Sequence, residues 1–141
     1  MPPMMNAISR NNTKPPAILV VEDFEPLRFS VVTWLKYRFP GCVVQGVASA
    51  EEALEHVRAF SPEIVLMDIN LPGINGLEAT CRMKEQAPET AVVILTTHDT
   101  PHHRLAAATA GAKAYVAKHE METHLEAAIK SLLGSRARTS S

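Results

Sequence analysis

The sequence predicts an α/β protein with five parallel strands in one sheet and five helices covering its two faces. Five short β-branched apolar runs alternate with longer segments that have helical periodicity. Most of these runs are apolar throughout, as strands buried on both faces must be. The chain has 141 residues, of which 46% are hydrophobic, so it can bury the core of one domain. Alternation of this kind indicates a parallel sheet between two helical layers.

The strands are predicted from short runs that are rich in valine, isoleucine and leucine. Four of the runs are apolar or nearly so, which is typical of strands that helices cover on both faces. The second run is more mixed, and we therefore predict that it forms an edge strand. The predicted strands are 17–21, 43–48, 64–67, 91–95 and 114–117.

The helices are predicted from apolar residues that recur on one face. In the first helix, Leu27, Val31 and Leu35 follow one another at intervals of four residues. Two helices with weaker periodicity are supported by residues that favour a helix N-cap, because Asn75 precedes one and Thr100 precedes the other. The predicted helices are 25–38, 50–59, 76–86, 101–110 and 121–133.

Composition divides the chain into three segments. Residues 1–16 are polar, carry four of the ten prolines and have no periodicity, which predicts a disordered leader. Residues 17–133 contain all the periodic segments and are predicted to form the folded domain. Residues 134–141 are small, polar and basic, which predicts a tail or the start of a linker.

Charge and composition exclude several classes of function. Fifteen acidic and fourteen basic side chains give a net charge of −1, which argues against direct nucleic-acid binding by this segment. Two cysteines are too few for a disulfide framework. No apolar run approaches the ~20 residues that span a bilayer, and the N-terminus lacks an apolar signal core. We therefore expect a cytoplasmic protein without a membrane partner.

Polar side chains follow four of the predicted strands. Because ligands of open parallel sheets bind at the carboxyl ends of the strands, we expect these side chains to share one site. The loop after the second strand offers less. The candidate residues are Glu22 and Asp23 after the first strand, Asp68 and Asn70 after the third, Thr96 and His98 after the fourth, and Lys118 after the fifth.

The candidate site has a clear chemical implication. Carboxylates that lie close together repel one another, and a hard divalent cation such as Mg²⁺ relieves that repulsion. Asp68 is then a candidate nucleophile that forms an aspartyl-phosphate, with Lys118 and Thr96 stabilising the transferred group. Each residue taken alone is compatible with an ordinary turn acid, strand end or solvated lysine. The combination is more specific, because all of these groups end consecutive predicted strands.

The sequence resembles the receiver domain of bacterial two-component response regulators from about residue 17 to residue 133. Four motifs carry the resemblance in order: ILVVEDFEPLR, IVLMDINLPGINGLE, VVILTTHD and GAKAYVAK. The resemblance implies a flavodoxin-like, doubly wound sheet with strand order 2-1-3-4-5. The last motif and the residues after it are similar to the subgroup that is joined to LuxR-type helix-turn-helix output domains.

The resemblance also implies a role for each matching residue. Asp68 matches the phosphoacceptor and Lys118 the phosphate-binding lysine. Thr96 matches the switch hydroxyl and Tyr115 the aromatic switch residue, which move when the phosphoryl group arrives and alter the surface of the fourth helix, fifth strand and fifth helix. Mg²⁺ is expected to bind Asp23, Asp68 and the main-chain carbonyl of Asn70, with Glu22 acting through water.

Three residues, His119, Thr97 and His98, depart from the common receiver pattern. His119 stands where many receivers have a proline, so the loop there is expected to be built differently. Thr97 replaces a smaller residue beside the switch hydroxyl and is expected to narrow access to the phosphoryl group. Asn70 and His98 occupy positions that tune the rate at which water removes the phosphoryl group, and we expect them to set its lifetime.

The resemblance implies a phosphorylation-dependent signalling switch whose donor is a sensor histidine kinase. The domain is expected to catalyse only its own phosphoryl transfer and autodephosphorylation, and to form a homodimer on phosphorylation. Two outputs remain open: transcription, through a C-terminal DNA-binding domain not present in this chain, or action as a complete stand-alone receiver by protein docking or phosphorelay. A metal-dependent phosphatase is disfavoured, because Asn70 stands where such enzymes need a second acid. A receiver-like module without phosphorylation is disfavoured by the full set of site residues.

Overall fold

The computed structural model of the protein describes residues 14–140, with side chains up to residue 134. Its centre is a five-stranded parallel sheet with strand order β2-β1-β3-β4-β5, which confirms the predicted fold class and order. Residues 1–13 of the predicted leader lie outside the described residues, and residues 14–16 have no helix or strand. None of the helices in the described part of the chain is long and apolar enough to cross a membrane.

The elements alternate along the chain as predicted, and nearly all of their bounds agree with the prediction to within one residue. The strands are β1 (Ala17–Val21), β2 (Val43–Val47), β3 (Ile64–Met67), β4 (Ala91–Thr96) and β5 (Ala114–Ala117). The helices are α1 (Glu25–Arg38), α2 (Ala50–Phe60), α3 (Gly76–Gln86), α4 (Pro101–Ala110) and α5 (Met121–Ser140), with a short 3₁₀ turn at Lys118–Glu120.

Helix α5 is longer than the sequence predicts. Residues 134–140 continue the helix to Ser140, where their composition predicts a tail or linker that leaves the fold. The physical reason is that alanine and arginine are good helix formers, and one glycine inside a helix costs only about 1 kcal/mol. Residues 134–140 are helical, and the prediction that they begin a linker to another domain stays a prediction.

The predicted helix caps are present. The side-chain oxygen of Asn75 accepts a hydrogen bond from the backbone N–H of Glu78, and that of Thr100 accepts one from the N–H of His103. Pro101 occupies the first turn of α4, where a backbone N–H would have no hydrogen-bond acceptor within the helix, so its absence costs nothing. These caps fix where α3 and α4 begin, directly after the loops that follow β3 and β4.

Two hydrophobic layers cover the sheet. Successive strand residues point to opposite faces, so Val65 and Met67 pack against α2, α3 and α4, while Ile64 and Leu66 pack against α1 and α5. All four of these side chains are fully buried. Strand β2 lies at the edge of the sheet with Val43 45% exposed, which confirms the predicted edge strand.

The strand register determines where the functional residues lie. Val21 of β1 is paired with Met67 of β3, so the residues that follow these strands, Glu22 and Asp68, leave the sheet side by side. Thr96 of β4 is paired with Ala117 of β5, which places Lys118 at the same edge. The carboxyl ends of the strands therefore form one site, as the sequence predicts.

Candidate functional site

Three carboxylates lie together at the carboxyl edge of the sheet. Glu22, Asp23 and Asp68 each place one carboxylate oxygen within 4.8 Å of the others. Glu22 and Asp68 are 5% and 7% exposed, whereas Asp23 is open to solvent. Burying carboxylates so close together without a counter-charge is unfavourable, so the site needs a cation.

Lys118 supplies one positive charge to this cluster. Its Nζ donates to Oε1 of Glu22 at 2.8 Å and to Oδ2 of Asp68 at 3.4 Å. Burial alone would lower the pKa of Lys118, but the hydrogen bond to Glu22 and the charges of Asp68 and Glu22 outweigh it. The net effect is a raised pKa, so the ammonium group stays charged at neutral pH and lies against both buried acids.

Local hydrogen bonds hold Glu22 in its orientation. Its Oε2 accepts the backbone N–H of Phe24 at 3.1 Å, while Oε1 accepts from Lys118. Its carbonyl oxygen accepts from Nη1 of Arg28, one turn into α1, at 2.8 Å. Glu22 is therefore a direct counter-ion of Lys118 in this structure, a contact that its sequence position alone does not reveal.

The loop between β3 and α3 folds back onto Asp68. The backbone N–H of Asn70 donates to Oδ1 of Asp68 at 3.2 Å, and the N–H of Gly76 donates to the carbonyl of Ile69 at 2.9 Å. From the first turn of α2, Oε2 of Glu51 accepts the N–H of Ile74 in this loop at 3.3 Å. Sequence reasoning missed Glu51, because this bond joins a helix to a loop 23 residues further along the chain.

Gly76 allows this loop to close. A Cβ at position 76 would lie 2.8 Å from the carbonyl carbon of Asp68 and 2.9 Å from Cα of Ile69. Both distances are shorter than real Cβ contacts tolerate, so only glycine lets α3 begin this close to the Asp68 backbone. The sequence places Gly76 at a helix start but carries no signal for the close approach.

His98 connects the two predicted switch residues. Its backbone N–H donates to Oγ1 of the fully buried Thr96 at 3.2 Å, and its carbonyl accepts the hydroxyl of Tyr115. Its ring Nε2 contacts the side-chain amide of Asn70 and the ring stacks on His103 at a centroid distance of 4.9 Å. Among the described residues, Thr96 forms no hydrogen bond with Asp68; its hydroxyl accepts from the backbone of His98 instead.

Tyr115 is half-buried and lies beneath an arginine. The guanidinium carbon of Arg104 lies 4.7 Å from the centre of the Tyr115 ring, and Arg104 forms an ion pair with Asp99 at 2.7 Å. Burial and the nearby charge of Asp99 raise the pKa of Tyr115, while Arg104 opposes that change. Arg104 and Asp99, which the sequence did not single out, thus help to define the environment of the predicted switch ring.

The donor set of the acidic cluster fits Mg²⁺. All three side chains offer carboxylate oxygens, which are the ligands that this ion prefers. The single ammonium group of Lys118 leaves the cluster with an excess of negative charge. The exposed carboxylate of Asp23 also leaves the cluster open to water, several molecules of which Mg²⁺ normally retains.

The fold and this cluster define a class of protein, and comparison with known families identifies it. A family model described as the response regulator receiver domain matches residues 18–130. Because that match covers most of the chain, the protein belongs to the response regulator receiver domain family. A solved structure of a LuxR-family two-component response regulator from Aurantimonas sp. SI85-9A1 is 32% identical, with a TM-score of 0.80 over 86% of this chain and 87% of that one.

Curated relatives agree with this assignment. The transcriptional activator protein ExaE of Pseudomonas putida is 32% identical over 120 residues, which cover 85% of this chain and 56% of the relative. The response regulator GacA of Pseudomonas syringae pv. syringae is 37% identical over 102 residues, which cover 72% of this chain and 47% of the relative. The chain therefore spans about half the length of these curated relatives.

Proposed function

We propose that the protein is a phosphorylation-dependent signalling switch in which Asp68 accepts a phosphoryl group from a sensor histidine kinase. The observation that carries this proposal is the position of Asp68, whose carboxylate lies among Glu22 and Asp23 with Nζ of Lys118 at 3.4 Å. In the transfer, a carboxylate oxygen of Asp68 attacks phosphorus, the bond from phosphorus to the kinase histidine breaks, and the imidazole leaves.

The remaining site residues take supporting roles in this proposal. Asp23, Asp68 and the main-chain carbonyl of Asn70 hold Mg²⁺, and Glu22 acts through water while it orients Lys118. The ion supplies positive charge that offsets the negative charge of the transferred group. Lys118 contributes a second positive charge, because its contact with Asp68 places it beside the oxygens that receive the phosphoryl group. The chain itself catalyses only this transfer and the later hydrolysis.

The switch residues connect phosphorylation to a change of surface. We assign Thr96 as the hydroxyl that binds the phosphoryl group and Tyr115 as the ring that turns inward. Their support is the chain of contacts through His98, whose N–H bonds to Thr96 and whose carbonyl bonds to Tyr115. A shift of Thr96 toward Asp68 changes the position of His98, and with it the acceptor of the Tyr115 hydroxyl.

The core of the proposal is tested with a small phosphodonor. The protein is incubated with the donor and Mg²⁺, and intact mass is measured. We expect wild type to gain one phosphoryl group and Asp68→Asn to gain none. Glu25→Gln, an exposed acid at the start of α1, serves as the matched control and should be labelled like wild type. Failure of several donors to label the wild-type protein would contradict the proposal.

Asn70 and His98 are expected to set the lifetime of the phosphoryl group. The amide of Asn70 contacts the ring of His98, and we propose that this pair restricts the approach of water to Asp68. We expect Asn70→Ala and His98→Ala to shorten the dephosphorylation half-life about fivefold, which corresponds to roughly 1 kcal/mol of barrier. Intact mass against time measures this. His102→Ala, an exposed neighbour, should keep the wild-type half-life, and unchanged half-lives in both test variants would refute the assignment.

For the output, we propose control of transcription through a C-terminal DNA-binding domain that lies outside this chain. The support is the similarity to LuxR-family regulators and to the transcriptional activator ExaE. The matched region also covers only 56% of the length of ExaE. In this proposal residues 17–133 are the receiver domain, residues 134–141 begin the linker, and the protein works in the cytoplasm and dimerises on phosphorylation. The alternative is a stand-alone receiver that acts by docking or phosphorelay. The complete reading frame distinguishes the two.

A further inference from the structure

A second cluster of metal-ligating side chains lies outside the acidic cluster. Asp99, in the loop between β4 and α4, and His119 and Glu120, in the 3₁₀ turn after β5, each place one ligand atom within 4.8 Å of the others. The pairing of β4 with β5 brings these two loops together, because Thr96 and Ala117 are register partners. The cluster therefore depends on the sheet and is not a chance meeting of distant surface loops.

This second cluster is separate from the proposed Mg²⁺ site. Lys118 donates inward to Glu22 and Asp68, whereas the next residue, His119, is exposed. A surface cavity of about 360 Å³ is lined by residues 118–123, which include His119 and Glu120. The two sets of ligands share no residue, and the cavity leaves room for coordinated water beside His119 and Glu120.

The chemistry of the donors selects a different class of ion. One imidazole nitrogen and two carboxylate oxygens suit zinc and similar divalent transition metals, whereas Mg²⁺ prefers an all-oxygen set. Three protein ligands with open positions for water form a common arrangement for Zn²⁺. His119, which stands where many receivers have a proline, supplies the nitrogen ligand.

Neighbouring contacts prepare the cluster for an ion. Both guanidinium contacts of Asp99, from Nε of Arg104 at 2.8 Å and from Nη2 at 2.7 Å, fall on Oδ1. This ion pair orients the carboxylate and leaves Oδ2 outside it, as hydrogen-bonded partners behind metal ligands commonly do. The N–H of Met121 donates to the carbonyl of Lys118 and closes the 3₁₀ turn. This bond fixes the backbone conformation of His119 and Glu120, which lie between those two residues.

We propose that Asp99, His119 and Glu120 bind one Zn²⁺-class ion that joins the loop after β4 to the turn after β5. The ion lies on the Tyr115 side of the site, since Arg104 contacts both Asp99 and the Tyr115 ring. A cation bound at Oδ2 of Asp99 draws negative charge away from Oδ1, weakens the ion pair with Arg104 and so changes the contacts of that ring. Metal binding would therefore alter the same surface around Tyr115 that phosphorylation is proposed to alter.

The experiment uses the full chain carrying Asp23→Asn and Asp68→Asn, which removes metal binding by the acidic cluster. Titration calorimetry with Zn²⁺ in buffer containing Mg²⁺ should show one equivalent bound. Adding His119→Ala should weaken that binding by at least about tenfold, as expected for the loss of a ligand. Adding His124→Ala, an exposed histidine on α5, should leave the affinity unchanged.

A second measurement identifies the ligands. Co²⁺ bound to the same background should give visible absorption that His119→Ala and Asp99→Asn both diminish, and far-UV circular dichroism checks that each variant, altered at an exposed side chain, is folded. Absence of Zn²⁺ binding in the background variant would overturn the proposal. Binding that survives His119→Ala but is lost in His103→Ala would also overturn it, because the ion would then lie at the stacked pair of His98 and His103.

Discussion

Replacing Gly76 with alanine is expected to lower the free energy of unfolding by about 2 kcal/mol. Helix propensity alone predicts the opposite, because alanine is favoured over glycine in a helix by about 1 kcal/mol. The structure indicates that Gly76→Ala lowers the free energy of unfolding and does not raise it, because the added Cβ would lie 2.8 Å from the carbonyl carbon of Asp68 and 2.9 Å from Cα of Ile69. The neighbouring atoms are backbone, which cannot rotate away as a flexible side chain can, so α3 or the loop must move.

Urea denaturation of wild type and variant measures this effect. Gly41→Ala is the matched control, because a Cβ at position 41 meets no atom within 4 Å and should change stability by less than about 0.5 kcal/mol. The displaced loop should also weaken Mg²⁺ binding in Gly76→Ala, since Asn70 and Asp68 belong to it. A variant as stable as wild type, with the same Mg²⁺ affinity, would show that α3 need not approach Asp68 so closely.

Replacing Lys118 with methionine is expected to destabilise the metal-free protein by about 2 kcal/mol. The ammonium group is the positive charge that faces Glu22 at 2.8 Å and Asp68 at 3.4 Å, and both acids are buried. Without it, two buried carboxylates lose their counter-charge, and the full figure for a buried pair is reduced here because Lys118 keeps some solvent contact. Lys113→Met, which removes an exposed lysine directly before β5, at the opposite end of that strand from Lys118, should be nearly neutral.

The stability of Lys118→Met should also depend on Mg²⁺ and on pH, and each dependence can be measured. Saturating Mg²⁺ should recover a large part of the lost stability in Lys118→Met, because a bound cation replaces the missing charge. The raised pKa of Lys118 means that its contribution is complete below its unfolded pKa of about 10.4 and is lost as pH rises through the folded value. The stability difference between wild type and variant should therefore be constant near neutral pH and shrink in alkali. A difference that grows in alkali would contradict the ion-pair explanation.

Much of the fold was predictable from local sequence. Strand and helix bounds follow from apolar periodicity, which depends only on residues a few positions apart. The caps at Asn75 and Thr100 were predictable for the same reason, since an N-cap bonds to an N–H two or three residues later. The edge position of β2 followed from its mixed composition. Local rules failed at the end of α5, where composition predicted a tail but the backbone remains helical to Ser140.

The acidic site was predictable in membership but not in its contacts. A parallel sheet brings the residues that follow each strand to one edge, so the identities of Glu22, Asp68 and Lys118 sufficed to expect them together. That Lys118 bonds to Glu22 as well as to Asp68 is a contact across 96 residues, and side-chain geometry decides it. The bond from Ile74 to Glu51 likewise joins the loop after β3 to the first turn of α2.

By itself, the sequence determined the order of the elements, the parallel sheet and the set of acids, threonine and lysine at its carboxyl edge. Tertiary structure alone decided that His98 bonds both Thr96 and Tyr115, that Gly76 abuts Asp68, and that Asp99 meets His119 and Glu120. The physical reason is the separation along the chain of the residues that interact. Periodicity and capping act within a few residues, whereas these contacts depend on strand register and on how closely loops from different strands approach one another.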